Sequence, residues 1–476
     1  MSLRTAAEFE ASLRDDRTVY YGSERVADVT DHRALSLSVA HAAGEYDHQF
    51  DDEELFAVED DGEAYSRYYA DLDSREALAR RRDLVAESTR RHDGVFNCIR
   101  AIGSDGIAAL LAVTPDVDDA HGTDYEARVR RFRERARSED LGVSVAMSDV
   151  KGDRSKPPGE QADRFYLEVV EERDDGIVVS GAKAHTSHGA VCNELLVLPT
   201  RGLAPEEREY AVAFAVPADA EGLQFVCRPT NRSEVPAEEH PISGRRDETE
   251  SVTVFDEVFV PRERVFLCGE TGFAGDLVAA FATYHRFTGT VYKPPLVDLF
   301  VGAATLLAEA NGLGDDRVVA EKITDMVTYV ETTRALSKAA VYDCSFRNGQ
   351  AIPDPAAVNA GKYYFASNYH RMVRHLQDVA GGLAVTLPQL SAFDDEDLAA
   401  TLDRYLAGAE GWDGTSRAKL LALVRDLATS EFASWEEVLS VHAEGSLQAQ
   451  RLALSHGYDT TDATDRVRAI LNRMDP

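Results

Sequence analysis

The period of the hydrophobic pattern changes twice along this chain, and those changes restrict its folds more than any single motif. To about residue 140 apolar residues recur at three- and four-residue spacing, as in amphipathic helices. Ser74 precedes Leu78, Leu84 and Val85, which predicts a capped helix, and residues 95–113 and 125–137 predict two more. Residues 19–26 predict a small hairpin about Gly22-Ser23. From about 141 the period falls to two, with turn residues between short runs. Strands are expected at 142–147, 165–170, 176–181, 194–198, 210–216, 223–227, 251–254 and 258–260. Many short strands without intervening helices predict an antiparallel barrel or sandwich. From about 276 helical spacing returns over 277–311, 316–347, 355–379 and 416–427, and Pro294-Pro295 should kink or split the first of these. The expectation is an α+β multidomain protein: an N-terminal helical domain (1–140), a middle antiparallel β-barrel (141–275) and a C-terminal helical bundle (276–476).

A chain of 476 residues is too long for one ordinary domain. Its 84 acidic and 51 basic residues give a formal charge of −33, spread along the whole length. So negative a surface repels phosphate backbones, which excludes nucleic acid as a partner and suits a halophilic protein working at high salt, where repulsion is screened over ~3 Å at 1 M. Met1–Thr5 begins no apolar signal stretch, and no window approaches the ~20 apolar residues needed to cross a bilayer, so a cytoplasmic protein without a membrane partner is expected. Five widely spaced cysteines, none in a Cys-x-x-Cys pair, predict neither disulfides nor a thiolate metal site. No metal is expected.

Two polar segments in the β-region carry chemistry. One holds Ala146, Met147, Lys151, Gly152, Asp153 and Arg154; the other runs Gly181-Ala182-Lys183-Ala184-His185-Thr186-Ser187. Strand ends offering amides, hydroxyls and cations suit a flat, anionic ligand. Gly445-Ser446-Leu447-Gln448 reads as a turn entering a helix, whose N-terminal amides favour a pyrophosphate.

In this order, these segments resemble the 4-hydroxyphenylacetate 3-hydroxylase and 4-hydroxybutyryl-CoA dehydratase superfamily, closest to the dehydratase branch. Further stretches carry the resemblance: Tyr20–Val26, Asp175–His185, Val254–Pro261, Tyr284-His285-Arg286, Val301–Ala304, Asp378–Leu383 and Gly445–Arg451. The resemblance implies an acyl-CoA dehydrogenase-like fold with FAD between barrel and bundle. FAD would be bound, or supplied in reduced form, at Ala146, Met147, Lys151–Arg154, Lys183, Thr186, Ser187 and Gly445–Gln448, with Lys183 or Thr186 near the reduced ring. Gly381 and Gly382 would approach the flavin of a neighbouring subunit, implying a homo-oligomer, dimer or homotetramer.

The chain departs from the dehydratases where they hold a four-iron four-sulfur cluster. His285 matches the histidine ligand, but Asn97, Ala101 and Tyr292 stand where cysteines belong, and Cys98 is one residue, ~100° of helix, out of register. One histidine without thiolates holds no cluster, so none is expected. Glu250 keeps an acidic position of the dehydratase pocket; the C-terminal carboxylate position falls at Leu439, with Glu444 five residues on. The hydroxylases grip their phenol with Arg-x-Pro-x-Tyr; here only Arg100 is kept, and Val145 replaces a histidine. Three readings follow. The first is a cluster-free flavin monooxygenase served by a separate flavin reductase. The second is an acyl-CoA dehydratase or isomerase that moves a double bond. The third is a flavoprotein that has lost its chemistry. The substrate is phenolic or an acyl-CoA, and His285, Tyr292, Lys293, Glu250 and Arg100 are the candidate catalytic groups.

Overall fold

In the computed structural model, residues 3–60, 62–230, 232 and 235–474 are described. The principal helices are α1 (Leu35–Asp51), α2 (Arg75–Arg91), α3 (Ala101–His121), α4 (Thr271–Ala310), α5 (Arg317–Tyr342), α6 (Pro355–Ala380), α7 (Glu431–His442) and α8 (Leu447–Gly457). The strands that build the middle of the molecule are β1 (Thr18–Tyr21), β2 (Glu24–Val26), β3 (Val143–Ala146), β4 (Glu168–Glu172), β5 (Gly176–Ser187), β6 (Glu194–Val197), β7 (Val212–Pro217), β8 (Leu223–Cys227), β9 (Glu250–Pro261) and β10 (Val265–Cys268). Helix α2 starts as its sequence demands: the Ser74 hydroxyl accepts the Ala77 N–H. Helix α1 was not singled out by its spacing.

The expected closed antiparallel barrel is not what forms. Among the described residues the strands make two open sheets, β2-β1-β8-β9-β5-β4 and β10-β7-β6-β3. Two of the pairings are parallel, Thr18 opposite Gln224 and Val143 opposite Glu194. The N-terminal hairpin thus leaves its helical neighbours to extend the larger sheet, and parallel partners come from distant chain segments that period alone does not pair. Two expected strands fuse into β9, which bulges where Glu257 sits at φ +55°.

Helix α4 also differs from expectation. It runs unbroken through Pro294-Pro295 over 40 residues. Each proline removes a helix hydrogen bond at a cost of ~3 kcal/mol, but Phe287–Val297 lie buried among α2, α3, α5 and α6, and that packing holds the helix on course. This helix is also long and apolar enough to cross a membrane, contrary to the sequence reading, although two-thirds of the qualifying window is buried inside the protein. It is the central beam of the bundle.

Candidate active site

The two polar β-segments lie side by side. Asp149 and Lys183 form a bridge between them, and the Ala184 N–H donates to Ser148 at 2.7 Å. Lys183 does not face outward, as expected of a group beside a reduced ring. Its ammonium is buried, 2.8 Å from Asp149, and donates to the carbonyls of Met147 and Leu198 at 2.9 and 3.1 Å. Thr186 is likewise buried, its hydroxyl taking that of Thr253 at 2.9 Å. Both side chains are spent on neighbours inside the protein. Ala146 is buried, Met147 and Lys151 are half-buried, and Gly152, Asp153 and Arg154 are exposed; Asp153 serves its own loop by accepting from Ser155. Lys151 and Gly152 both have positive φ, a tight turn that presents the loop to solvent.

At the end of β5, the half-buried Ser187 donates its hydroxyl to Glu250 at 2.7 Å. The other carboxylate oxygen of Glu250 is buried without a protein partner among the described residues. Burial raises the pKa of Glu250 to about 7, poising it between its two forms at neutrality, and pushes its neighbour Glu248 well up as well.

The sheet edge meets the bundle here. His185, at the surface with φ +60°, has its pKa lowered by partial burial and by the charges of Lys151 and His442, the last residue of α7. Beyond α7 the chain turns through Glu444 and Gly445 into α8. Arg286 pins that turn by donating to the Glu444 carbonyl at 2.9 Å and to Asn359 at 2.8 Å. Ser446 stands at the N-cap of α8, but its hydroxyl caps no amide.

The Glu444 side chain points inward and organises a buried charge cluster. It accepts from Tyr292 at 2.5 Å and from Lys293 at 3.2 Å, while Lys362 lies 2.9 Å from its second oxygen. Lys293 also donates to the Tyr292 oxygen at 2.6 Å. Burial would raise the Glu444 pKa, but Lys293, Lys362 and His285 outweigh it and hold the carboxyl far below the usual range. Burial brings Lys362 down to about 7, against the pull of Glu444, and keeps the Tyr292 phenol firmly neutral. Gly289 makes the arrangement possible, since a Cβ there would stand 2.8 Å from the Glu444 carboxyl carbon.

One turn before Gly289, His285 stacks on Phe281, centroids 5.2 Å apart, and its Nδ1 lies 3.6 Å from Asp105. The other Asp105 oxygen is tethered by Arg81 and Thr288, each at 3.1 Å. The near oxygen and His285 Nδ1 are both buried without a hydrogen bond among the described residues. Such a pair tightens when a ligand presses on the ring.

The remaining expectations divide. Arg100 is not placed to grip a substrate: fully buried, it pairs with Asp140 at 2.7 Å, donates to Gln49 and Glu45, and lies over Tyr46. Gly381 and Gly382 are exposed at the end of α6, with nothing within 4 Å of either Cβ direction. Leu447 and Gln448 open α8. The positions where a cluster would be ligated do not fit one. The Asn97 amide bonds the His41 carbonyl and the ring of His92, and Tyr292 stacks on Phe96 with centroids 4.0 Å apart. The Cys98 thiol is buried, which together with nearby Glu248 drives its pKa well up, away from the thiolate a cluster requires. Sequence reasoning missed Asp105, Glu248, Lys362 and Glu436. Each sits at an ordinary helix or loop position, and only the fold brings them to Tyr292 and His285.

Comparison with known proteins accounts for both halves. Residues 5–267 match 4-hydroxyphenylacetate 3-hydroxylase N terminal, and residues 274–472 match 4-hydroxyphenylacetate 3-hydroxylase C terminal. The chain is 30% identical to the 4-hydroxybutyryl-CoA dehydratase/vinylacetyl-CoA-Delta-isomerase of Clostridium aminobutyricum, over 98% of this chain and 99% of that one. It is 27% identical to the 4-hydroxyphenylacetate 3-monooxygenase oxygenase component of Thermus thermophilus, over 98% and 97%. The crystal structure of a 4-hydroxyphenylacetate 3-monooxygenase oxygenase component complexed with FAD superposes with a TM-score of 0.91 at 27% identity, covering 99% of both chains. With both terminal halves matched and the fold shared from end to end, this chain belongs to the 4-hydroxyphenylacetate 3-hydroxylase family.

Proposed function

We propose that this protein is a flavin-dependent monooxygenase of the two-component type, hydroxylating a phenolic substrate with reduced FAD delivered by a separate flavin reductase. The observation that carries this reading is Tyr292, whose neutral phenol occupies the third ligand position of a cluster between Phe96, Lys293 and Glu444. That leaves the flavin as the redox group. The kinship to an oxygenase component complexed with FAD supports the same reading.

Ala146, Met147, Lys151–Arg154 and Ser187 would hold FAD from the β-side, and Gly445–Gln448 from the bundle, where the uncapped first turn of α8 offers amides to a pyrophosphate. Bound FAD supplies the electrons that activate dioxygen. Around it, His285 accepts or returns the substrate's phenolic proton, oriented by Asp105. Lys293 donates toward developing negative charge, steadied by Tyr292, whose own proton is committed to Glu444, and Glu444 neutralises the lysines. The domain limits 1–140, 141–275 and 276–476 belong to this reading, and the break between the two family matches at 267–274 supports the second. So does a cytoplasmic, salt-adapted homo-oligomer, dimer or tetramer, in which the exposed Gly381-Gly382 turn reaches a neighbour's flavin in an acyl-CoA dehydrogenase-like arrangement.

The dehydratase-type reading draws on Glu250, a carboxyl raised to about 7 beside Ser187 and so able to take up and release a proton next to a thioester. The test sets the two against each other. The protein is given chemically reduced FAD, oxygen and a panel of phenols, and separately vinylacetyl-CoA without oxygen. Catechol formation with tight binding of reduced FAD is expected. Crotonyl-CoA without phenol oxidation would replace the proposal with the second reading, and neither product with either flavin state would leave a protein without this chemistry.

A further inference from the structure

A second cluster of chemically capable side chains lies outside the candidate active site, on α1. His41, Glu45 and His48 follow one another at four- and three-residue spacing, so they form one stripe along the helix. That stripe faces His92, just past the end of α2. One ligand atom from each of Glu45, His48 and His92 falls within a sphere where all separations are below 4.8 Å. The rings of His48 and His92 have centroids 4.7 Å apart, and those of His41 and His92 are 5.0 Å apart.

The hydrogen bonds of this cluster are conspicuously incomplete. Glu45 Oε1, His41 Nε2 and both ring nitrogens of His48 are buried with no partner among the described residues. Buried polar atoms are nearly always satisfied, so orphans on three neighbouring side chains call for a ligand. The bonds that do exist orient the rest. His41 Nδ1 lies 2.9 Å from the Asp247 carbonyl and donates to it, which leaves its Nε2 lone pair open; His92 Nδ1 lies 2.8 Å from the Ser88 carbonyl, and its Nε2 accepts from the Asn97 amide at 3.2 Å, a bond that an ion on that nitrogen would displace. Ser88 donates to Glu45 Oε2 at 2.5 Å, while Oε1 has no hydrogen bond within reach among the described residues, the Tyr68 phenol standing near the carboxylate. Burial keeps all three imidazoles neutral, His48 at about 4 and His92 at about 3.

The surrounding cations are already neutralised. Arg100 is paired with Asp140, Arg91 with Asp52 and Glu87, and Arg246 with Asp93. His48 is half-buried, which gives an ion a way in.

We infer that Glu45, His48 and His92 form a site for a first-row divalent cation of the zinc type, with His41 as a fourth donor close by. Two imidazoles and a carboxylate are a donor set that such ions accept, with metal–ligand bonds of ~2.0–2.2 Å. Those bonds put ligand atoms ~3.4 Å apart, so the cluster closes on the ion by about an ångström, through rotation of the partly exposed His48. The ion would staple α1 to the segment that leads from His92 into Asn97 and α3. This goes beyond the sequence reading, which weighed thiolate ligands and expected no metal. It does not depend on the flavin reading.

The test is metal analysis of the full-length, untagged protein purified without chelator, followed by removal of metal and titration with Zn²⁺ and then Co²⁺. About one equivalent per chain, a visible Co²⁺ ligand-field band and a rise in melting temperature with Zn²⁺ are expected. H48A and E45Q should each weaken Zn²⁺ binding by about tenfold or more, while H370Q, at an exposed histidine, should not. Absence of saturable Zn²⁺ and Co²⁺ binding by the wild-type chain overturns the proposal without recourse to variants. So does binding that survives both H48A and E45Q unchanged.

Discussion

Two buried charge networks in this molecule look alike on paper and differ in what they leave over. Around Arg100, both terminal guanidinium nitrogens are committed, to Asp140, Gln49 and the Glu45 carbonyl, and Tyr46 covers the flat face. Around Glu444, two lysines and a phenol converge on one carboxylate, and the adjoining His285–Asp105 pair stops short of a hydrogen bond. Burial and charge are common to both. Arg100 keeps only an unpaired Nε–H, which does not titrate, whereas the second network keeps a titratable histidine and carboxylate in reserve, and that reserve separates a working site from a structural tie.

The comparison is sharpest at His285. H285N should lower hydroxylation by about two to four orders of magnitude while leaving the thermal transition in place, and D105N should give a smaller loss in the same direction; steady-state kinetics beside calorimetry checks both. If H285N unfolds the protein and spares activity in the folded fraction, the distinction fails. At Glu444, E444Q should cost about 3–5 kcal/mol in denaturant unfolding, because two buried ammoniums lose their counter-charge. Adding K362M should recover part of that loss; no recovery would mean that charge balance is not what holds the cluster.

Arg100 should behave oppositely to His285. R100K should cost about 1–3 kcal/mol of stability through lost charged hydrogen bonds, with the KM for substrate and the affinity for reduced FAD unchanged. A raised KM at constant stability would restore Arg100 to the substrate. The smallest effect concerns Glu436, whose pKa burial raises from 4.5 to about 7 against the pull of Lys293 and Arg232. Between those values the folded state holds a proton that the unfolded chain has lost, so this residue reduces stability as pH climbs through the window. The melting temperature of E436Q should therefore gain on the parent's from about pH 4.5 to about pH 7 and level off above; a constant difference would mean that Glu436 is charged throughout.

Much of this was legible beforehand. The order of helix, sheet and helix follows from spacing, and Ser74 and Gly22 mark a cap and a turn where both occur. His285, Tyr292 and Lys293 share one helix, so a linear reading groups them. The two open sheets in place of a barrel were not legible, because parallel pairs such as Val143 with Glu194 join segments whose register lies in packing rather than period. Nor was the continuity of α4, where burial on every side outweighs two prolines. Lys183 and Arg100 read as ligand-binding cations until Asp149 and Asp140 are seen beside them. Lys362 and Asp105 carry no local signal; their partners lie 82 and 180 positions away by residue number.

The seat that Gly289 leaves for Glu444 bears on how the molecule is made. Lys293 and Lys362 emerge from the ribosome well before the carboxylate that balances them, which comes 151 residues after the first. Until it arrives, the nascent bundle carries two ammoniums in what will become its dry interior. Final closure therefore waits for the α7–α8 turn, and a chain truncated just before that turn should stall with its centre still hydrated.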